Sequence, residues 1–152
     1  MKYLLKTDIA DFLIESEIDY ITRLSVYNGD LDFKIERNPT IDFCIRELLS
    51  YLEGDLRFFQ TKIKFNGTDF QQKVWRALSE IDYGETKSYK EIAESIGLPG
   101  ASRAVGMACS ANPIMIILPC HRIIGKNGNL TGYRGGLKLK KYLLNLEMGE
   151  YR

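Results

Sequence analysis

The sequence predicts an α+β protein in two parts, and three observations carry that prediction. Short runs that mix apolar and polar residues fill positions 3–27, a helical apolar period runs from Ile41 to Leu52, and the stretch after Thr68 reads as a series of short capped helices. Charge divides along the same line. Residues 1–61 hold 7 Lys+Arg against 12 Asp+Glu, a net −5, and residues 62–152 hold 14 against 8, a net +6. Hydrophobic residues make up 45% of the 152, enough to bury a core in one or two small domains. The expected division is 1–61 and 62–152, and the basic second part is the candidate binder of a polyanion.

Tyr3-Leu4-Leu5-Lys6, Phe12-Leu13-Ile14-Glu15-Ser16 and Ile21-Thr22-Arg23-Leu24-Ser25-Val26-Tyr27 read as two or three antiparallel strands, closed by the turn Asn28-Gly29-Asp30. After Asn38-Pro39, apolar side chains at Ile41, Cys44, Ile45, Leu48, Leu49 and Leu52 recur with helical period and stop at Gly54. Residues 55–67 read as a connector. Thr68-Asp69-Phe70-Gln71 is a capping box, in which hydroxyl and amide can satisfy free backbone N–H groups at a helix start. The face Phe70, Val74, Ala77, Leu78, Ile81 follows, with Gly84 as its end. A second box, Ser88-Tyr89-Lys90-Glu91, opens a short helix that stops at Gly97. A third helix is expected from Pro99-Gly100 to Asn112-Pro113, and an amphipathic helix from Leu137 to Glu147.

Two short helices flanking Gly97-Leu98-Pro99-Gly100, with Ala93 at their crossing, have the form of a helix-turn-helix. In the second, Arg103 stands among Gly100, Ala101, Ser102, Ala104, Gly106 and Ala108. Such a thin helix face can enter a DNA groove and project one long cation from it; the alternative is an arginine in a surface ion pair.

Pro119-Cys120-His121-Arg122 places a thiol beside the only histidine, within the aliphatic run Ile114 to Ile124. That pattern suits a protected nucleophile with a base nearby, although a lone cysteine in an apolar run is usually a small core residue. Three cysteines without CxxC spacing argue against a disulfide framework and point to a reducing compartment. Cys44, Cys109, Cys120 and His121 lack zinc-ligand spacing, so no metal is expected. Neither a signal segment nor an apolar run of membrane length is present in the sequence, and a cytoplasmic location, or a nuclear one in a eukaryote, is expected. Glu147 falls in the last turn of its helix, where the dipole disfavours a carboxylate by about 0.3–1 kcal/mol. A cationic or hydrogen-donating partner would offset that cost, and His121 is the candidate; a solvated carboxylate is the alternative.

The stretch from Thr68 to Gly149 closely resembles the DNA-binding and active-site domain of the O6-alkylguanine-DNA alkyltransferases. The resemblance runs in one order through Gly84-Glu85, Ser88-Tyr89, Ser102-Arg103-Ala104-Val105-Gly106, Asn112-Pro113, Pro119-Cys120-His121-Arg122, Gly132-Tyr133, Gly135-Gly136, Leu143-Leu144 and Glu147. It implies a winged helix-turn-helix-like C-terminal domain, and residues 1–61 match in outline a short form of the family's ribonuclease-H-like N-terminal domain. The implied activity is direct reversal of DNA damage: Cys120 would take the alkyl group from O6-alkylguanine in double-stranded DNA, once per molecule, with O4-alkylthymine as a second candidate substrate. No cofactor is implied, and the protein would act as a monomer.

By the same resemblance, His121 would take the thiol proton through a water, on the expectation that adjacent side chains of an extended segment point apart. Glu147 would orient the imidazole, Tyr133 would serve N3 of the departing guanine, and Asn112 would buttress the active-site turn. Tyr89 would crowd the target phosphate and Arg103 would fill the gap left in the duplex, with the small residues Ser102, Ala104 and Gly106 along the docked helix. Lys87, Lys90, Arg122 and Lys126 are candidate phosphate contacts. Pro119, Ile123, Arg134 and Gly135 are expected around the substrate pocket. Arg134 stands where some members carry a serine, which leaves a narrower pocket or an added phosphate contact, and Met148 is inserted between Glu147 and Gly149 relative to many members. The rival reading is a DNA-binding protein without chemistry, as in the alkyltransferase-like proteins that lack the acceptor cysteine; a hydrolase lacks an oxyanion motif here.

Overall fold

The computed structural model describes residues 1–149, which form two units: Met1–Phe65 and a second beginning at Asn66. In the first, β1 (Lys2–Lys6), β2 (Asp11–Glu17) and β3 (Tyr20–Val26) make an antiparallel meander in the order β1-β2-β3. Leu4 pairs with Leu13, and Ile14 with Leu24. Helix α1 (Pro39–Leu52) starts where the Asn38 side chain accepts the Ile41 N–H, with proline in the first turn where no donor is missed. Its buried residues Ile41, Cys44, Leu48 and Tyr51 share one face and pack toward β2 and β3, where Phe12, Ile14, Ile21 and Leu24 are likewise closed to solvent.

The connector after α1 is held rather than loose. Ile21 donates its N–H to the Lys62 carbonyl at 2.8 Å and accepts from Lys64 at 3.0 Å, which adds a short parallel rung to β3. Glu47, buried on α1, accepts from the N–H groups of Gln60 and Thr61 and from the Thr61 hydroxyl.

The second unit contains α2 (Asp69–Leu78), β4 (Lys87–Ser88), α3 (Tyr89–Ser95), α4 (Ser102–Ser110), β5 (Ile123–Ile124) and α5 (Leu137–Met148). Both expected capping boxes are formed, Thr68 with Gln71 and Ser88 with Glu91. Helix α2 ends at Leu78 instead of running on to Gly84: the Ser79 hydroxyl donates to the Arg76 carbonyl, and Ile81 reaches the interior from the turn that follows. Helices α3 and α4 make the helix-turn-helix, with Ala93 fully buried between them, and α2 packs on both. The Trp75 indole N–H on α2 donates to the Ala108 carbonyl on α4 at 2.9 Å. β4 and β5 pair in parallel, Lys87 with Ile123 and Ser88 with Ile124, so the chain just after Cys120 is tied to the start of α3. The result is an α+β fold with a strand-and-helix first unit and a helix-turn-helix second unit. No helix among the described residues is long and apolar enough to cross a membrane.

Candidate active site

Asn112, 1% exposed, organises the turn that leads into Cys120. Its Oδ1 accepts the Ile114 N–H at 2.9 Å, and its Nδ2 donates to the Leu118 carbonyl at 2.8 Å and to Cys120 Sγ at 3.2 Å. Inside this turn Ile116 has φ 72°, a left-handed conformation that costs a β-branched residue roughly 1–3 kcal/mol. Burial of Ile116 and the three bonds of Asn112 hold it there.

Cys120, His121 and Arg122 form one 3-10 turn, not the extended segment expected from sequence. At three residues per turn their side chains still diverge, by about 120° from one to the next. Cys120 is 5% exposed, and burial pushes its thiol up while the Asn112 hydrogen bond pulls it down. The group is therefore a protonated thiol at neutral pH, and a nucleophile only once a base removes the proton.

His121 is closed to solvent, and its Nε2 lies 2.7 Å from Glu147 Oε2. A carboxylate only accepts, so Nε2 carries the proton and the ring's acceptor lone pair is on Nδ1. Burial lowers the His121 pKa, Glu147 raises it, and the Arg122 charge lowers it again. The imidazole is neutral at neutral pH, as a base must be. Glu147 is shared: Arg122 donates Nε to Oε1 at 2.8 Å and Nη2 to Oε2 at 3.1 Å, and the Gly84 N–H reaches Oε1 at 3.2 Å. Gly84 adopts φ +79° to present that N–H, a conformation glycine takes without strain. These donors offset the unfavourable helix-end position of the carboxylate. Arg122 is thus no phosphate contact. It is buried, and its remaining Nη1 donates to the Ile81 carbonyl at 2.6 Å, so the guanidinium is committed to the interior.

Cys120 opens on a cavity of about 480 Å³ lined also by Tyr89, Gly106, Cys109, Ser110, Gly132, Tyr133 and Arg134. Five of the expected residues meet here: Cys120, Tyr89, Gly106, Tyr133 and Arg134. Three expected pocket residues do not line it. Pro119 and Ile123 are buried, Ile123 because its strand pairs with β4 and turns it inward. Gly135 instead permits close packing, since a Cβ there would lie 2.8 Å from Met115 Cε and 3.1 Å from Tyr133 Cε2. The Tyr133 hydroxyl is buried without a hydrogen-bond partner, and burial holds it well above the ordinary phenol value, so it stays a donor. Arg134 Nη1 lies 3.5 Å from the Ser110 carbonyl at the end of α4.

Sequence reasoning missed Lys140. It is fully buried on α5 and donates Nζ to the carbonyls of Ile123 and Thr131, tying the start and an interior point of the loop that carries Tyr133. Thr131 in turn shares a 2.9 Å hydrogen bond with the Tyr89 hydroxyl, and Tyr89 packs over Gly106. The signal was present: Lys140 falls on the same apolar stripe as Leu139, Leu143 and Leu144. Cys109 and Ser110, at the end of α4, were missed as well.

On the outside of α4, Arg103 is exposed, and Ser102 and Ala104 are half-buried. Lys126 is exposed; Lys87 lies 4.0 Å from Glu91 and Lys90 lies 3.9 Å from Glu94, surface pairs weak enough to yield to another anion. No group of three His, Cys, Asp or Glu side chains among the described residues is placed to hold a metal ion.

Residues 69–149 match the family described as 6-O-methylguanine DNA methyltransferase, DNA binding domain. A methylated-DNA–protein-cysteine methyltransferase of Methanosarcina barkeri is 57% identical over 118 residues, covering 78% of this chain and 75% of that one. One of the same name from Mycobacterium bovis is 56% identical, covering 68% of this chain and 62% of its own length. The crystal structure of Mycobacterium tuberculosis OGT in complex with DNA superposes with a TM-score of 0.89 at 42% identity, over 97% of this chain and 92% of that one.

Proposed function

Since the chain belongs to the O6-methylguanine DNA methyltransferase family, and is a DNA-repair transferase that takes a methyl group from DNA onto a cysteine of its own, we propose that Cys120 is that cysteine and O6-alkylguanine its substrate. The observation that carries this reading is the composition of one cavity: a buried thiol, preceded and followed by the residues that position it, opening onto a phenol with no other partner. His121 takes the thiol proton through a water on its Nδ1 side, and Glu147 stabilises the imidazolium that forms. The thiolate attacks the alkyl carbon in line, the carbon–O6 bond breaks, and its electron pair passes into the guanine ring. Tyr133 donates its hydrogen to the ring nitrogen where that charge accumulates, which improves the leaving group. The product is a thioether, no group present removes it, and each molecule reacts once.

Guanine O6 lies within the base stack, so the nucleotide must be turned out at a cost of a few kcal/mol. Helix α4 is suited to lie in the minor groove, with Gly106 and Ala104 allowing close approach and Arg103 occupying the vacated space. Tyr89, seated over Gly106 at the cavity, is positioned to press on the phosphate of the turned-out nucleotide. Lys90 and Lys126 supply further phosphate contacts. Every group in this account belongs to one unit of one chain, so a monomer suffices.

Incubation with a duplex carrying one O6-methylguanine, followed by intact mass and peptide mapping, tests the reading. One methyl group per protein at Cys120, abolished in Cys120→Ser, is expected. Sustained turnover, or a methyl group mapped to Cys109 or Cys44, would refute it.

A further inference from the structure

Helix α4 presents one outward stripe. Arg103, Met107 and Ser110 stand at i, i+4 and i+7 and are all exposed, whereas Val105 and Ala108 face inward. Met107 is 74% exposed, the most of any large apolar residue among the described residues of the second unit. A single exposed methionine needs no explanation in general, but the neighbours of this one supply a meaning. One turn before it is Arg103, read above as the cation that fills the vacated space in the duplex. Beside and after it are Gly106 and Ser110, which line the cavity that holds Cys120. Met107 therefore covers the strip of surface between the inserted arginine and the mouth of the alkyl pocket.

We propose that Met107 is a second DNA-contacting wedge, its thioether lying against the sugar and base edges of the minor groove beside the turned-out nucleotide. The proposal rests on the reading of α4 as the docked helix. Arg103 can satisfy polar groups left by the missing base, but it cannot dry the apolar edges around them. A long, unbranched and polarisable side chain adapts to such irregular edges, and apolar wedges favour unstacked base steps. The gain is specific to a duplex, because a free base has no neighbouring step to hold open.

Single-turnover transfer from O6-methylguanine in a duplex and from the free O6-methylguanine base would be measured for the parent, Met107→Ala, Met107→Gln and Met107→Leu. The ratio of duplex to free-base rates is expected to fall about tenfold in Met107→Ala and Met107→Gln, the effect of losing roughly one methionine side chain of buried apolar surface, and to be kept in Met107→Leu. An unchanged ratio in Met107→Ala would overturn the proposal, because no DNA surface then covers the side chain. A ratio kept by Met107→Gln as well as by Met107→Leu would also overturn it, since length without apolarity would suffice. A parent protein that takes no methyl group from either substrate would overturn the reading of Cys120 and the wedge with it; a change confined to the ratio in the variants cannot arise that way.

Discussion

Two glutamates, one in each unit, are buried and saturated with hydrogen bonds, yet they do different work. Glu47 on α1 accepts only from neutral donors, the amides of Gln60 and Thr61 and the Thr61 hydroxyl, and all of them belong to one short segment. Glu147 on α5 accepts from a histidine, an arginine and one amide, drawn from two separate parts of the chain. The first arrangement staples a connector. The second couples a carboxylate to a ring that can gain and lose a proton, which is what a reaction needs. Burial and bond count do not distinguish the two; the chemistry of the donors does.

The largest expected effect breaks that contrast at its functional end. Glu147→Gln should lower single-turnover transfer by about 10²-fold or more, the scale of a general base deprived of its charge partner, whereas Glu47→Gln should leave the rate per folded molecule near that of the parent. Comparable losses in both would mean that Glu147 is a staple too. The same variant sharpens the comparison through pH. His121 is held below the ordinary value of about 6.5, so transfer should be level from pH 8 to about 6.5 and fall as the ring is protonated at lower pH. Stability follows with the same sign: the unfolded chain binds the His121 proton first, so this contribution is complete above the unfolded value and is lost as pH falls below it toward the folded one. Removing the Glu147 charge takes away what raises the His121 pKa, and the acid limb of the rate profile should move further down. An acid limb that stays in place would show that the ring does not sense Glu147.

Next come losses of stability. Lys140→Met should cost about 1.5–3 kcal/mol in chemical denaturation, because a charged donor to two carbonyls disappears, and the amides of residues 125–136 should exchange faster. Glu47→Gln should cost about 1–3 kcal/mol, because an acceptor oxygen becomes a donor that faces donors. Unaltered exchange in the 125–136 loop of Lys140→Met would show that the loop is held by packing instead.

The smallest effect concerns the pocket mouth. Arg134 reaches toward the Ser110 carbonyl across the cavity that both residues line. Arg134→Ser should raise transfer from O6-benzylguanine a few-fold, the scale of a weak exposed contact, with little change for O6-methylguanine. A shallower salt dependence of DNA binding with unchanged benzyl transfer would assign Arg134 to a phosphate instead.

Most of the second unit could be read from its sequence because its instructions are local. Capping residues, glycines at turns and a 3.6-residue apolar period each act within one turn of chain, and both capping boxes formed as written. Glu147 was legible for a related reason: a carboxylate at a helix end conflicts with the dipole and asks for a partner. The end of α2 was not legible, because Ile81 continues the apolar period although the helix has already stopped at Ser79. Arg122 reads as a surface cation beside a motif, and only the approach of Ile81 and Glu147, both distant in sequence, turns it inward. The cavity is illegible for the same cause. Its wall is assembled from the start of α3, the end of α4 and the loop before α5, so no local pattern marks Cys109 or Ser110 as lining it.

The placement of the three cysteines has a practical consequence for measurement. Cys44 lies in the core of the first unit and its thiol is pushed up to about 12, while Cys109 in the second unit is pushed up to about 12 as well. Cys44 forms no thiolate at pH 8 while its core is closed, so a thiol-modifying reagent attacks it only after local opening, whereas the half-buried Cys109 lines the cavity beside Cys120. Once Cys120 carries a methyl group, labelling at Cys44 clocks the opening of the first unit and labelling at Cys109 reports access to the cavity of the second. The free energy of opening the first unit and the accessibility of the cavity, before and after repair, are then readable from one sample by mass spectrometry, with no engineered probe.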